Sequence, residues 1–382
     1  MKPETLNTKL LTFLFRSVNL VLPSETRASN IVADKACRAS IVIVSYNAKT
    51  KLLACLESVL QSLPDSSEII VVDNASIEGN ADAVESNFPD VALIRSETNL
   101  GFAAGCNLGT RYAAGKHLVF LNPDTIVEPG WLEALLAPFD CDEKIGLTTA
   151  RIVLLDDPTR LNTCGCDIHL TGLTLCRGMG KSSNTFREVE NVGAISGAAF
   201  AIRRDLFERL EGFDETMFLY LEDTDLSWRG RLAGFSTVSA PGSIVHHDYE
   251  LRITPLKVFW EERNRYLMLL KSLKWRTFAL LLPVYLLAEL ITWSFVLLKD
   301  RHNIANKINA YRWIIQHWRL VMEKRRATQT LRTQPDRRLI DSTGFKIDFD
   351  QAAGGLVAVA ARTIFNPLFF VLRRITLALM WW

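Results

Sequence analysis

The sequence predicts an α/β fold, a parallel sheet covered by helices on both faces, and two observations carry that prediction. Short apolar, β-branched runs alternate with stretches of helical spacing from Ser40 to Leu121. That alternation is the signature of strand–helix–strand units. Three of the runs also end in polar residues: Tyr46 and Asn47, Asp73 and Asn74, Asn122 and Asp124. Ligands of open α/β sheets collect at the carboxyl ends of the strands. One polar strand end means little; three in series predict a site.

Each element has its own signal. Ser40–Ser45 (SIVIVS) reads as the first strand, and Leu52, Leu53, Leu56, Val59 and Leu60 follow at helical spacing. Glu68–Val72 is the second strand, Ala81–Phe88 a helix and Val91–Arg95 a third strand. Gly101–Ala114 reads as a helix of small residues and His117–Leu121 as the fourth strand. From about Trp131 the pattern is mixed. Gly193–Arg204 reads as a packed segment leading into a helix, Phe213–Arg231 as an acidic loop entering a helix, and Ser236–Val245 as a strand ended by His246-His247.

Beyond Tyr249 the composition changes. Residues up to Glu250 include 22 Lys+Arg and 33 Asp+Glu, a net of −11; the rest include 22 and 9, a net of +13. The acidic part suits a cation site, and the basic, Trp-rich tail suits an anionic surface. Thr277–Leu298 has a single charge, Glu289, and Lys271, Lys274, Arg276, Lys299 and Arg301 flank it. Its length matches a bilayer span, although Pro283 and Glu289 leave an in-plane helix or hairpin open. Gln329–Gln351 reads as a polar loop. Leu356–Trp382 is apolar but broken by Arg362, Arg373 and Arg374, and its terminal Trp pair suits an interface. Leu10–Leu22 is an apolar N-terminal segment without a cleavage signal, read as a helix on the protein or on a membrane surface. Seven scattered cysteines, with only Cys164 and Cys166 close together, read as reduced structural thiols. The division expected is an N-terminal extension (1–38), a catalytic domain (39–250), a basic helical connector (251–276), a candidate membrane helix (277–298) and a C-terminal extension with an interfacial helix (299–382).

The strings VIVSYN (42–47), VVDNAS (71–76), NLGFAAGCNLG (99–109), FLNPDT (120–125), ISGAAFAIRR (195–204) and GFDETMFLYLEDTDLSWRGRLAGF (212–235) carry the chemistry. In this order they resemble the inverting family 2 of glycosyltransferases, and within it the bacterial rhamnosyltransferase type. The resemblance covers about Ile41–Tyr249 and reaches into EERNRYLMLLK (261–271). It implies a GT-A fold, a Rossmann-like nucleotide-diphospho-sugar transferase domain, here followed by a mostly helical, apolar C-terminal extension. The implied reaction moves a sugar from a nucleotide diphosphate with inversion, aided by Mg²⁺ or Mn²⁺. Such chemistry needs a cation to neutralise the leaving diphosphate and a base on the opposite face of the sugar.

Residue by residue, the resemblance places Val44, Tyr46 and Asn47 around the nucleobase and Asp73 and Asn74 on the base. It places Asn99, Gly101, Phe102 and Asn107 in the wall around the nucleotide. Asp124 ends the family's D-x-D element and would bind the metal; position 122 is Asn rather than Asp, which removes one anionic ligand. His246 is the expected imidazole ligand, with His247 as the alternate. Asp223 is the expected base, oriented by Glu222, with Asp225 in reserve. Trp228 and Gly197 are acceptor-side candidates.

Each motif also has a plainer reading. Asp73-Asn74 is a common turn pair, Asn122-Pro123-Asp124 could cap a helix, Glu222-Asp223 are acids suited to a first helical turn, and Trp228 could be core. Asn99–Gly109 lacks the Gly-Lys-Ser/Thr ending of a phosphate loop, which disfavours nucleotide hydrolysis. No nucleic-acid module is visible, and the basic residues flank apolar segments, so a membrane is the expected anionic partner and nucleic acid is not. The partners expected are therefore a nucleotide-sugar donor, a glycan or lipid-linked acceptor and the cytoplasmic face of a membrane. A non-catalytic scaffold of the same fold is the rival of a different class; the carboxylates Asp73, Asp124 and Asp223 argue against it.

Overall fold

In the computed structural model, which describes residues 19–21, 37–250, 255–299, 301–347, 359 and 361–382, the first strand of the parallel part of the sheet shows why its sequence is apolar throughout. Strand β2 (Ala39–Ser45) buries Ile41 and Ile43 on one face of the sheet and Val42 and Val44 on the other. Strand β3 (Ser67–Asp73) does the same, with Ile69 and Val71 on the first face and Ile70 and Val72 on the second. Helix α1 (Lys49–Leu60) covers the first face through Leu52, Leu56 and Val59, and helix α2 (Asn80–Asn87) adds Ala81 and Val84. Strands covered on both faces have no solvated side to leave polar.

The sheet continues through β4 (Ala92–Arg95), helix α3 (Gly101–Thr110), β5 (His117–Leu121), β6 (Thr125–Val127) and helix α4 (Trp131–Cys141). Strands β7 (Ile145–Leu154) and β8 (Leu161–Thr163) follow, then a separate hairpin of β9 (Cys166–Ile168) and β10 (Thr174–Cys176). The domain closes with β11 (Ala199–Arg203), the short helix α5 (Arg204–Arg209), helix α6 (Glu222–Leu232) and β12 (Ser236–His247). A short strand β1 (Asn19–Val21), inside the segment expected to be helical, pairs antiparallel with β4. The rest of that N-terminal segment lies outside the described residues.

The strand order is β1-β4-β3-β2-β5-β11-β7-β12-β6, with β8 beside β7. Strands β4, β3, β2 and β5 are parallel, as expected. Beyond β5 the sheet is mixed: β11 runs antiparallel to both β5 and β7, and β12 is parallel to β7. The segment expected to be packed before a helix is thus a central strand, Ala199–Arg203. The chain reverses between β2 and β5, because β3 and β4 lie on one side of β2 and β5 on the other, and a crevice opens at such a switch.

The region after 254 is helical. Helix α7 (Pro255–Ser272) lies in the segment expected to be a basic helical connector, and its Leu267, Met268, Leu269 and Leu270 are buried in one cluster with Trp228 and Leu232 of α6. The segment 277–298 is divided between α8 (Trp275–Leu280) and α9 (Leu282–Lys299), and no described helix is long and apolar enough to cross a membrane. Leu281, Val284, Tyr285 and Ala288 pack into the C-terminal core. Glu289 is matched there, accepting from Arg265 at 2.6 Å and from Tyr311 at 2.6 Å. A transmembrane helix at 277–298 is therefore replaced by a helical layer with a paired carboxylate. Helices α10 (Ile304–Gln316), α11 (Trp318–Thr330), α12 (Asp336–Asp341) and α13 (Asn366–Leu379) complete it. The polar stretch 329–351 is thus partly helical. Residues 251–254, 348–358 and 360 lie outside the description, as does the start of the terminal apolar segment.

Candidate active site

Ser45, Asp73 and Leu121 end three adjacent parallel strands, so the residues just beyond them share one rim. Asp73 and Asn122 stand two strand spacings apart, about 10 Å. Asp73 is buried, one of its carboxylate oxygens has no hydrogen-bond partner, and burial pushes its carboxyl up against the counter-effect of Ser76. That is the state of a group waiting for a donor. Tyr46 is half exposed beside it. Asn47 has a left-handed backbone (φ 50°), accepts from the Ile77 N–H at 2.9 Å, and through its own N–H bonds Ser76 Oγ at 3.0 Å.

The remaining nucleotide-side residues divide into lining and bracing. Asn74 donates to Asn99 Oδ1 and to the Gly101 carbonyl, both at 3.1 Å, and accepts from the Leu100 N–H. These bonds fasten the turn that starts α3. Gly101 must be glycine: its φ is +80°, and a Cβ would lie 2.5 Å from the Phe218 ring. Phe102 packs edge-on to Phe213 and its N–H donates to the Phe218 carbonyl. Val44, expected around the nucleobase, and Asn107, expected in the wall, face elsewhere. Val44 is buried against Gly105 of α3, and Asn107 bonds Phe213 and Glu215, so both hold the wall from behind.

The D-x-D-like element follows β5. The Asn122 N–H donates to the Ala198 carbonyl at 2.9 Å. Asp124 Oδ1 lies 3.3 Å from His247 Nε2, and His247 Nδ1 bonds Asn162 Oδ1 at 2.9 Å. Burial pushes the Asp124 carboxyl up, but the bond and charge of His247, together with Lys51, outweigh it and hold it below the ordinary range. The histidine expected here was His246. It points away instead, its Nε2 2.9 Å from Glu128 Oε1. Successive strand residues face opposite sides, so only one of the pair can meet Asp124, and it is the alternate, His247.

A cleft of about 450 Å³ adjoins this pair, lined by Lys51, Asp124, His247, Asp248, Tyr249 and Glu250. Sequence reasoning missed Lys51, which sits on α1 and bonds Asp248 at 2.8 Å. No group of three or more metal-ligating side chains occurs among the described residues. Asp124 and His247 would fit a divalent cation that takes its other ligands from phosphate oxygens and water; the carboxylate suits Mg²⁺ or Mn²⁺, and the imidazole favours Mn²⁺.

The carboxylates of α6 enter from the other side. Asp223 Oδ2 accepts from the Gly197 N–H at 2.8 Å, and Oδ1 accepts from the Thr224 N–H at 2.6 Å. Burial pushes the Asp223 carboxyl above its ordinary value despite those donors. Glu222 is more deeply buried, its Oε2 has no hydrogen-bond partner, and burial followed by the Asp223 charge raises it well above the usual range. Gly197, expected on the acceptor side, serves as the donor that orients Asp223. Gly197 and Ala198 are consecutive, so one stretch of backbone bonds both the Asp223 carboxylate and the Asn122 amide. Trp228 is not an acceptor platform: at 1% exposure it is core between α6 and α7. Asp225 is bound to Arg229 and Lys271 and is also structural. All seven cysteines are thiols, and Cys166 faces Cys176 across the β9–β10 hairpin rather than joining Cys164 in a cluster.

The half-parallel sheet, with a crevice where the chain reverses between β2 and β5, has the mixed α/β arrangement of the GT-A fold. Residues 40–211 match the family model described as Glycosyl transferase family 2. It is 39% identical over 97 residues to an uncharacterized glycosyltransferase of Haemophilus influenzae, covering 25% of this chain and 33% of the relative. It is 28% identical over 234 residues to the N-acetylglucosaminyl-diphospho-decaprenol L-rhamnosyltransferase of Mycobacterium tuberculosis, covering 54% and 75%. Among solved structures, GalNAc-T7 with UDP, GalNAc and Mn²⁺ shares the fold at a TM-score of 0.51 and 20% identity, over 62% of this chain and 48% of that one. The chain thus spans a third of the Haemophilus relative and about half of GalNAc-T7.

Proposed function

We propose that this chain is an inverting glycosyltransferase that takes a sugar from a nucleotide diphosphate. The observation that carries the reading is the Gly197–Ala198 backbone, which ties the Asp223 carboxylate to the Asn122–Asp124 turn at the rim that also bears Asp73. The nucleotide would lie across the β3–β2 end of the rim, with Asp73 accepting a hydrogen bond from the base. Asp124 and His247 would hold a divalent cation, which neutralises charge on the departing diphosphate. Lys51 adds positive charge on the same side. Asp223, fixed by two backbone N–H groups and raised by burial, would take the acceptor hydroxyl proton as it attacks the anomeric carbon. Glu222 keeps a second, more deeply buried carboxyl close by, raised by its own burial and then by the Asp223 charge.

The donor we favour is dTDP-L-rhamnose, supported by the motif resemblance and by the Mycobacterium relative; UDP-hexoses and UDP-N-acetylhexosamines are the alternatives. The acceptor we favour is a glycan or lipid-linked glycan of cell-surface polysaccharide synthesis, met at the cytoplasmic face of the membrane. Support for the membrane comes from exposed apolar residues on the helical layer, Leu282, Leu286, Leu290 and Leu297 on α9 among them, in the part of the chain after Glu250 that carries net charge +13. The test is a panel of nucleotide sugars with purified protein and Mg²⁺ or Mn²⁺, following metal-dependent release of the nucleoside diphosphate. Selective use of a UDP-sugar would overturn the donor assignment. Failure to bind or turn over any donor would leave a scaffold.

A further inference from the structure

The segment leading into Glu222 and Asp223 has a backbone that its residue types resist. Phe218 (φ 62°, ψ −60°) centres a three-residue turn closed by the Leu219 N–H and the Met217 carbonyl at 2.7 Å. This is the rare positive-φ form of the γ-turn. Tyr220 (φ 68°) and Leu221 (φ 64°, ψ 2°) are also left-handed, and Leu221 is the N-cap of α6 without a capping side chain. None of the three is glycine. Side-chain-bearing residues keep such conformations only where the surroundings over-determine them.

Asn264 supplies that constraint from α7. It is fully buried, and its amide nitrogen lies 3.0 Å from the Met217 carbonyl, 3.0 Å from that of Leu219 and 2.7 Å from that of Tyr220. The orientation of the amide is fixed as well, because Oδ1 accepts from Arg263 Nε at 2.9 Å and Nη2 at 2.6 Å. Arg263 also donates to the Thr216 and Met217 carbonyls, and its guanidinium lies over Trp260 at 4.3 Å and Trp313 at 4.5 Å. The other side of the loop is held by α3, whose Phe102 and Ala103 N–H groups donate to the Phe218 carbonyl. The loop is therefore clamped between the nucleotide wall and α7, and its exit sets the first turn of α6.

We propose that Asn264 is a positioning residue for Glu222 and Asp223. Its amide nitrogen gathers three carbonyls, and it holds the left-handed loop that leads into the carboxylates. Alanine takes this donor from the Leu219 and Tyr220 carbonyls, while the Met217 carbonyl keeps Arg263 and the Leu219 N–H. Aspartate has no N–H to offer and sets negative charge against them. The inference rests on the reading of Asp223 as base.

The test compares full-length wild type with Asn264→Ala, Asn264→Asp and Asp223→Asn, measuring kcat, donor KM, UDP and dTDP affinity by calorimetry, the pH profile of kcat, and Tm. Both Asn264 variants should lose about 30-fold or more in kcat while nucleotide affinity stays within about threefold, and the acid limb of the kcat profile should move. Adding Leu221→Gly to Asn264→Ala, which removes the penalty for a left-handed N-cap, should restore several-fold of the lost kcat. Wild-type kcat in Asn264→Ala overturns the proposal. So does a loss of kcat matched by equal losses of nucleotide binding and Tm with no recovery in the double variant. If Asp223→Asn retains full turnover while Asn264→Ala loses it, the base assignment fails and the target of the brace with it. If Asp223→Asn loses turnover and Asn264→Ala does not, the brace alone fails.

Discussion

The backbone N–H of Gly197 donates to Asp223 Oδ2 at 2.8 Å, and a Cβ built on Gly197 would lie 3.2 Å from that same oxygen. The glycine is what lets the carboxylate reach the backbone. Gly197→Ala should displace Asp223 by a few tenths of an ångström and reduce kcat by about tenfold, with nucleotide affinity little changed. Asp223→Asn should lower turnover by about a hundredfold or more. Donor titration and initial rates on the two variants check both. Near-normal turnover in Asp223→Asn would move the base to Glu222.

His247 Nε2 lies 3.3 Å from Asp124 Oδ1, the pair proposed to hold the cation, and His246 stands on the other face with Glu128. His247→Gln should weaken Mn²⁺-dependent nucleotide binding and raise the Mn²⁺ concentration needed for half-maximal rate. His246→Gln should leave both unchanged. Metal titrations of the two variants decide which histidine belongs to the site, and equal effects would remove the assignment.

That contrast also marks how far the sequence could be read. The strand ends were legible because a buried parallel strand is an apolar run that must stop where polar residues begin, as at Ser45-Tyr46-Asn47 and Val72-Asp73-Asn74. The facing of the two histidines was not. Strand β12 changes register against β7 between Ala240 and Ile244, and such a bulge resets the in–out parity that counting along the strand relies on. Trp228 was ambiguous because nearly every residue from Thr224 to Gly230 is buried, so α6 has no solvent face from which to deduce an inner one. Strand β11 was hidden for a similar reason: Ala-Phe-Ala-Ile is buried throughout and shows neither the period of a strand nor that of a helix. Lys51 joins the cleft only through the packing of α1 on the sheet, which no local pattern records.

Glu222 gives a stability prediction with a definite sign. Burial and the neighbouring Asp223 raise its carboxyl well above the ordinary value in the folded protein. A folded-state pKa above the unfolded one favours folding below the unfolded pKa, and the gain is lost as pH rises through the folded value. At pH 8 the buried Glu222 therefore costs stability, and Glu222→Gln should raise Tm there. At pH 4 the difference between the two proteins should shrink toward zero. Thermal melts across that range test the sign, and a lower Tm for Glu222→Gln at pH 8 would show that the carboxylate has a compensating partner.

Lys271 has the opposite logic. It is buried between Asp214 at 2.5 Å and Asp225 at 2.9 Å, joining α7 to α6 and to the turn before it. Burial pushes the Asp214 carboxyl up, but Lys271 and Lys324 outweigh it and hold it far below the usual range, so its contribution is present at neutral pH and lost on strong acidification. Lys271→Met would leave buried carboxylates short of a cation, a change that typically costs about 3–5 kcal/mol. Chemical denaturation should report a loss of that order, larger at pH 7 than at pH 3.

The last prediction concerns the membrane surface. Leu282, Leu286 and Leu290 are 48%, 62% and 61% exposed, and their spacing of four residues puts them on one side of α9. Trp381 is 81% exposed, with Arg276 5.3 Å from its ring, so an indole and a cation lie together at the end of the chain. Apolar side chains that insert a few ångströms and basic groups that meet anionic headgroups are the two parts of an interfacial site. Burying one leucine side chain contributes about 1.5–3 kcal/mol when complete. Partial insertion of two should still change partitioning by about tenfold. Leu286→Ser with Leu290→Ser should therefore reduce co-sedimentation with vesicles containing phosphatidylglycerol by about that factor, without altering nucleotide affinity in solution. Wild type should bind anionic vesicles more strongly than neutral ones, and high salt should weaken the binding without abolishing it. Equal binding of the leucine variant, or complete release of the wild type by salt, would leave only an electrostatic contact and remove α9 from the membrane site.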